Sequence, residues 1–259
     1  MVHLFVMGAA GHALAGGADP LWEDLGGGRV DWAGETVVST ARGERGGNVA
    51  GLEMMEGSAR TQLGPRMLTM ARRVRVRSDA TADDLLGAGD LIADRLDDNL
   101  ATWEATEVRY HTGGDVEVDG ALGLHGWLRP ALVLMVTGRE RATPVTGTVT
   151  GLVVDARGLR VRPCVAPRVL DGGGQALYSL EVLTPSAAAA RSPAQWVGDA
   201  GDHRAARRAG ENPVFARAKD VVDGCDVVLA DADAAAVRRE AEAAPFLLGG
   251  YVVIVVDPP

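Results

Sequence analysis

Three ionisable side chains in one short segment offer the clearest chemistry in this sequence. Asp155, Arg157 and Arg168 lie within residues 150–174, TGLVVDARGLRVRPCVAPRVLDGGG. A carboxylate at the end of a strand commonly accepts hydrogen bonds from the amides of the next turn, and arginines can pair with it. We therefore predict a corner locked by Asp155, with the arginines paired to it or to Asp171. Recognition of an anionic ligand or a partner protein by the same side chains is the alternative.

A second set of ionisable residues consists of four aspartates on one face of a predicted helix. Crowded carboxylates attract hard cations such as Ca²⁺. Their spacing is not that of an EF-hand loop, and an amphipathic helix with a solvated face explains the same pattern. We therefore predict no metal site at these residues, which are Asp90, Asp94, Asp97 and Asp98.

Motifs for catalysis or nucleotide binding are missing from the sequence. It contains no GxxxxGK[ST] phosphate loop and no GxSxG nucleophile motif. Gly87 and Gly89 lie inside a predicted helix, whereas a phosphate loop follows a strand. The histidines beyond the first fifteen residues are scattered, at His111, His125 and His203. We predict no catalytic, cofactor-binding or metal-binding residues, and we expect that the protein is not an enzyme.

The elements that position Asp155 follow from the same segment. The apolar, β-branched run at 152–154 is closed by Asp155 and Gly158, which predicts a strand ended by a tight corner. A second extended run at 165–170 ends in a glycine-rich turn, which predicts a hairpin. The corner therefore lies between two strands.

Two prolines mark the connection between these strands. Pro163 and Pro167 have no amide hydrogen to donate to a sheet, so residues 162–168 must lie at a sheet edge or in an extended loop. An exposed edge recruits other chains through main-chain hydrogen bonds, which suits an assembly protein. Prolines also protect edges from such pairing. Both interpretations of this segment stay open.

The first half of the chain alternates short strands with helices. Apolar residues between 52 and 71 recur at helical spacing, and Pro65 among them predicts either a kinked helix or two short helices. Residues 82–103 form the second predicted helix. Strands are predicted at 30–40, 73–77, 107–111, 115–122 and 132–137.

The second half is richer in strands. The strand predicted at 251–257 contains an uninterrupted apolar run, which is typical of a central strand buried on both faces. One helix begins at Asp231, which is placed to cap it. The alanine-rich residues 186–209 predict another helix, interrupted at Ser192-Pro193. Further strands are predicted at 148–155, 165–170, 176–181, 214–222 and 226–229.

These elements predict an α/β (α+β) fold of two small domains, each a mixed or antiparallel sheet packed with helices. The expected boundaries are 30–145 for the first domain and 146–259 for the second, after a flexible segment at 16–29. The chain has 259 residues, of which 47% are hydrophobic, and this is ample for cores of that size.

The sequence resembles a bacterial envelope family that contains small outer-membrane lipoproteins and the N-terminal region of flagellar assembly protein T. The resemblance rests on residues 150–174, on Val30-Asp31-Trp32, and on Asn212-Pro213-Val214 with the closing run 251–257. It implies a structural or assembly role, with envelope or flagellar proteins as partners and self-association as a further option. Its signature residues, which are also candidate interaction residues, are Asp155, Arg157, Gly158, Pro163, Pro167, Arg168, Asp171, Asn212 and Pro213.

The first fifteen residues predict export. They are apolar and end in Ala13-Leu14-Ala15, small residues of the kind that signal peptidase recognises, although no basic residue precedes the apolar stretch. We expect residues 1–15 to be a signal peptide, cleaved before Gly16. No cysteine lies near that site, so we expect no lipid anchor, and no other run reaches the roughly 18 residues of a membrane span. The predicted location is periplasmic or secreted.

Charge and cysteine content restrict the partners. The net charge of −9 argues against nucleic-acid binding, because a phosphate backbone requires a basic surface. The two cysteines, Cys164 and Cys225, are interpreted as small buried thiols, with a disulfide as the alternative in an oxidising compartment. Together these observations predict a non-enzymatic structural or assembly factor of the cell envelope. The alternative is a soluble module that captures a small envelope ligand in a cleft between its domains.

Overall fold

The computed structural model describes residues 20–43, 51–87, 102–139 and 147–258. Its first sheet is antiparallel and has the strand order β1-β2-β3-β7-β6. A separate hairpin, β4-β5, follows the first helix. These strands are β1 Trp22–Asp24, β2 Arg29–Asp31, β3 Thr36–Gly43, β4 Arg75–Arg77, β5 Ala80–Thr81, β6 Glu104–Tyr110 and β7 Val116–Gly123.

The second sheet is mixed and has the order β10-β9-β13-β12-β8-β14-β11. Strands β11, β14, β8 and the first half of β12 run parallel, whereas β13 runs antiparallel to β12. The seven strands are β8 Gly151–Asp155, β9 Val169–Leu170, β10 Ala176–Tyr178, β11 Gln195–Val197, β12 Pro213–Val222, β13 Asp226–Leu229 and β14 Val252–Val255.

Six α-helices accompany the sheets within the described ranges. They are α1 Leu52–Arg73, α2 Ala82–Leu86, α3 Leu124–Met135, α4 Pro185–Ala190, α5 His203–Ala209 and α6 Asp231–Ala243. The predicted α+β fold class is confirmed. None of these helices is both long and apolar enough to cross a membrane.

The helix predicted from apolar spacing at 52–71 is confirmed as α1, which continues through Pro65 as one helix. Its buried stripe includes Met55, Ala59, Leu63 and Met67, four residues apart, and packs against β3 and β7. Burial of this stripe outweighs the hydrogen bond that Pro65 cannot donate. The prediction that residues 16–29 are flexible is wrong for 22–24, because these residues form β1, which pairs with β2.

The strand predicted at 132–137 is also wrong, because α3 occupies most of it. The buried residues of α3 recur every three or four positions, as a helix requires, although Pro130 lies inside the helix. They are Leu124, Trp127, Leu128, Ala131 and Leu132. The helix predicted at 82–103 is described only over α2, and its four aspartates lie outside the described residues.

In the second half, β14 is confirmed as an interior strand with all four residues buried. The strand predicted at 165–170 is shorter than expected, since only β9 joins the sheet. The alanine-rich stretch forms α4 and α5 with β11 between them. Asp231 does not cap α6: Ala230 is the N-cap, and the carboxylate of Asp231 accepts a hydrogen bond from Lys219 Nζ at 2.9 Å.

A disulfide joins Cys164 to Cys225, with their Cα atoms 6.0 Å apart. The prediction of two free thiols is therefore wrong. The bridge ties the proline-containing segment 162–168 to the turn between β12 and β13. The sequence could not decide this point, because 61 positions separate the two cysteines.

The buried side chains of the two sheets form one continuous hydrophobic cluster, which includes Val37 and Leu63 from the first half and Leu152 and Ile254 from the second. A smaller cluster lies under α5 on the opposite face of the second sheet, around Val153 and Val253. The boundary between the sheets therefore lies inside the core of the molecule.

Candidate functional site

The predicted corner at the end of β8 has the expected hydrogen bonds. The Asp155 carboxylate accepts the Arg157 amide at 3.1 Å and pairs with the Arg157 guanidinium at 2.7 Å. This pairing lowers the pKa of Asp155 to about 2. Gly158 has a φ of +81°, and its amide donates to Asp257 Oδ2 at 2.6 Å. Asp155 and Arg157 thus bond to each other and to the local backbone, in line with the structural interpretation.

Arg168 does not join this corner, which corrects the prediction that it pairs with Asp155 or Asp171. Its guanidinium bonds Asp226 at 2.6 Å and its amide bonds the same carboxylate at 2.8 Å. Asp226 is 1% exposed and follows the disulfide-bonded Cys225. The pair therefore neutralises a buried charge at the start of β13.

The remaining polar signature residues also bond within the fold. Asp171 accepts the amides of Gly173 and Gln175 at 2.9 and 2.8 Å, which closes the turn between β9 and β10, and it pairs with Arg238. Asn212 bonds the backbone and hydroxyl of Thr148 at 3.2 Å. Pro213 begins β12, where a missing amide donor is tolerated.

The edge formed by residues 162–168 is covered. The amides of Val165 and Ala166 donate to the carbonyls of Arg75 and Val76 in β4, at 3.0 and 2.8 Å. Val165 is only 7% exposed, and Pro167 is buried. The interpretation of this segment as a recruiting edge is therefore wrong, because the first half of the chain already occupies it.

The side chain of Arg75 also bonds across this junction between the two halves of the chain. One guanidinium nitrogen donates to the carbonyls of Pro163 and Arg162 at 2.5 and 3.2 Å. The other donates to Glu23 at 2.9 Å. Glu23 also accepts the indole N–H of Trp32 at 2.8 Å. Burial alone raises the pKa of Glu23, but these donors bring it below its ordinary value.

Beside this network lies a cavity of about 230 Å³ between the two halves, which we call the interdomain cleft. Its apolar lining comes from both halves of the chain, and its charged groups are Glu23, Arg162 and Asp257. The cleft lies at the carboxyl end of β14, next to the Gly158 corner, and carboxyl ends of parallel strands are common ligand sites. The lining residues are Leu21, Glu23, Trp32, Val161, Arg162, Pro163, Val256 and Asp257.

A second polar cluster, which the sequence did not indicate, also joins the two halves of the chain. The Ser192 hydroxyl donates to Glu35, and Arg208 donates to the Ser192 hydroxyl at 3.0 Å. Burial raises the pKa of Glu35. Glu35, Ser192 and His125 line one small cavity of about 10 Å³. Burial lowers the pKa of His125. Glu35 and Ser192 are 157 positions apart, so sequence spacing carried no signal for this contact.

This cluster contains a serine, a histidine and a glutamate, yet its hydrogen bonds differ from those of a catalytic triad. In a triad the serine hydroxyl donates to a histidine, and an acid orients that histidine. Here the hydroxyl donates directly to Glu35. In the described ranges, no three metal-ligating side chains group together.

Residues 151–258 match a protein-family model described as Treponema pallidum Tp0624, second domain. The matched part contains β8 to β14 and all nine signature residues, but less than half of the chain. The second sheet and its helices are thus similar to that domain. No curated protein matches the chain.

Proposed function

We propose that this chain is a non-enzymatic binding module of the bacterial cell envelope that holds a small ligand in the interdomain cleft. The observation that carries the proposal is the cleft itself: Trp32 and Leu21 from one half face Val161 and Val256 from the other. A largely apolar cavity with a few charged groups at its edge is the usual form of a small-molecule site.

The disulfide supports a location outside the cytoplasm. Disulfides persist in oxidising compartments such as the periplasm and are rare where thioredoxin and glutathione keep thiols reduced. The apolar first fifteen residues point the same way. The Ser192 cluster supports a non-enzymatic role, because its hydroxyl is held between Glu35 and Arg208 in a cavity of only about 10 Å³.

The proposal is tested by filling the cleft. Native mass spectrometry of the protein isolated from its host should show a small-molecule adduct. The change Val161→Trp should remove the adduct, whereas Val222→Trp on an exposed strand position should retain it. An adduct that survives in both variants, or none in the wild-type protein, would contradict the cleft as the binding site.

A second candidate is a structural or assembly factor of the envelope, flagellar or otherwise, and one observation favours it. Phe215, the third residue of β12, is 69% exposed, with Arg217 and Lys219 exposed at the next alternate positions of the strand. Aromatic residues and arginines are enriched at protein interfaces. A photoreactive residue at position 215 should then trap one envelope protein in vivo, and the same probe at the exposed Tyr110 should not. Equal labelling at both positions would count against this candidate.

A further inference from the structure

The outer face of the first sheet carries a groove that shares no lining residue with the interdomain cleft. Helix α1 packs on the inner face, against the buried Val37 and Ala41 of β3. Alternate residues of a strand point to opposite sides of the sheet. Val38 and Thr40 therefore lie on the outer face, where the groove has a volume of about 510 Å³.

Strand register arranges the outer-face residues in rows across the sheet. Asp24 lies opposite Arg29, and Arg29 lies opposite Val38. In the next row, Thr40 lies opposite Asp119. Five neighbouring strands contribute, so the groove extends about 19 Å across the sheet at roughly 4.8 Å per strand. That length suits an extended ligand rather than a single small ring.

An aromatic side chain forms one end of the groove. The Arg29 guanidinium lies 4.0 Å from the ring centroid of Trp22 and covers one side of the indole. Trp22 is only partly buried. The face of an aromatic ring carries partial negative charge, which attracts the weakly positive C–H groups of a saturated ring.

Fixed polar groups form the other end. Asp119 accepts hydrogen bonds from Thr40 at 2.6 Å and from Arg109 at 2.5 and 2.8 Å. These donors hold the carboxylate in one orientation, and Arg109 lowers the pKa of Asp119, so it stays an acceptor. The Thr40 hydroxyl donates its hydrogen to Asp119, and the Thr106 hydroxyl donates to the Asp119 carbonyl at 3.4 Å, so both oxygens are available as acceptors.

Three charged side chains line the groove, namely Asp24, Arg29 and Asp119. Asp24 lies opposite Arg29, and Asp119 is paired with Arg109. Each carboxylate of the lining thus has an arginine beside it, and a neutral ligand with many hydroxyls would find acceptor oxygens, the Arg29 guanidinium as a donor, and the indole of Trp22 as a stacking surface. We propose that this groove binds a neutral oligosaccharide, with Trp22 stacking on a sugar ring and with Asp119, Thr40 and Thr106 bonding its hydroxyls.

Isothermal titration with chitotetraose and with cellotetraose tests the proposal on the full chain. At least one of the two should bind with a Kd of about 1 mM or below. Trp22→Ala should weaken binding by about tenfold or more, and Trp22→Phe should recover part of the loss. Tyr110→Ala is the matched control, because Tyr110 is an exposed aromatic residue of the same sheet whose hydroxyl bonds Glu56 of α1 on the inner face. It should bind as the wild type does.

A second variant covers the case in which Trp22→Ala does not fold. Thr40→Val with Thr106→Val removes two hydroxyls from exposed positions and should weaken binding by about tenfold, with an unchanged unfolding temperature. The proposal is overturned if neither tetrasaccharide shows binding at a concentration about tenfold above the expected Kd. It is also overturned if the folded Trp22 and threonine variants bind as the wild type does.

Discussion

At the scale of single residues, the two arginines of the signature have different surroundings. Arg157 pairs with Asp155 at a corner where both side chains are more than 40% exposed. Arg168 pairs with Asp226, which is almost completely buried. Exposed ion pairs contribute little, because water screens them, whereas a buried carboxylate that loses its partner is strongly destabilising. The two residues should therefore respond differently to the same change.

We expect Arg168→Ala to lower the free energy of unfolding by about 3 kcal/mol, since it leaves the Asp226 charge buried without its guanidinium. Arg157→Ala should cost much less, because water screens its exposed pair with Asp155. Urea denaturation at pH 7 measures both. Equal losses for the two variants would show that Asp226 finds another donor.

At the scale of elements, the hairpin β4-β5 and the disulfide determine what becomes of the proline-containing segment. Strand β4 supplies the carbonyls that accept the Val165 and Ala166 amides. The disulfide joins Cys164 to the turn after β12. Residues 162–168, whose prolines predict a sheet edge or an extended loop, are thus covered on one side by β4, about 90 residues earlier in the chain. The prolines here are compatible with a covered edge rather than a recruiting one.

The disulfide closes a loop with a separation of 61 residues, and in the chain-entropy model this stabilises the fold by about 4 kcal/mol. The double variant Cys164→Ala with Cys225→Ala should lose about that amount in urea denaturation. Adding a reductant should destabilise the wild type but leave the double variant unchanged. If the reductant affects both proteins equally, the bridge does not carry the stability.

At the scale of the whole molecule, the two sheets meet across polar contacts as well as a shared core. Gln195 of β11 donates to the Ala33 carbonyl at 2.9 Å, which ties the edge of the second sheet to the first half. Glu35 and Ser192 bond across the same junction, and Arg208 lies next to them. Burial raises the pKa of Glu35, so the charged form of this carboxylate is less favourable at the junction than in the unfolded chain.

The junction should therefore respond to pH. A carboxyl whose pKa is raised in the folded state stabilises the fold most below its unfolded pKa, and this stabilisation is lost as the pH rises through the folded pKa. Glu35→Gln keeps an acceptor for Ser192 without the charge. We expect this variant to unfold at a higher temperature than the wild type at pH 7, with the difference shrinking toward pH 4.

Calorimetry at both pH values measures the effect, and Glu242→Gln, at an exposed position of α6, is the control. A Glu35→Gln variant that is less stable than the wild type at pH 7 would show that the charge of Glu35 is needed by Arg208.

The sequence by itself determined the features whose partners lie close together along the chain. The periodicity of α1, the apolar run of β14 and the turn bonds of Asp155 all involve residues within a few positions of one another, so local patterns report them. Helix α3 was missed although its buried apolar residues recur at helical spacing, and its last residues were predicted as a strand at 132–137. Only the tertiary structure decided that Arg168 pairs with Asp226, that the cysteines are bridged and that β4 covers residues 162–168. Those partners are brought together by the order of the strands, and no spacing along the chain encodes that order.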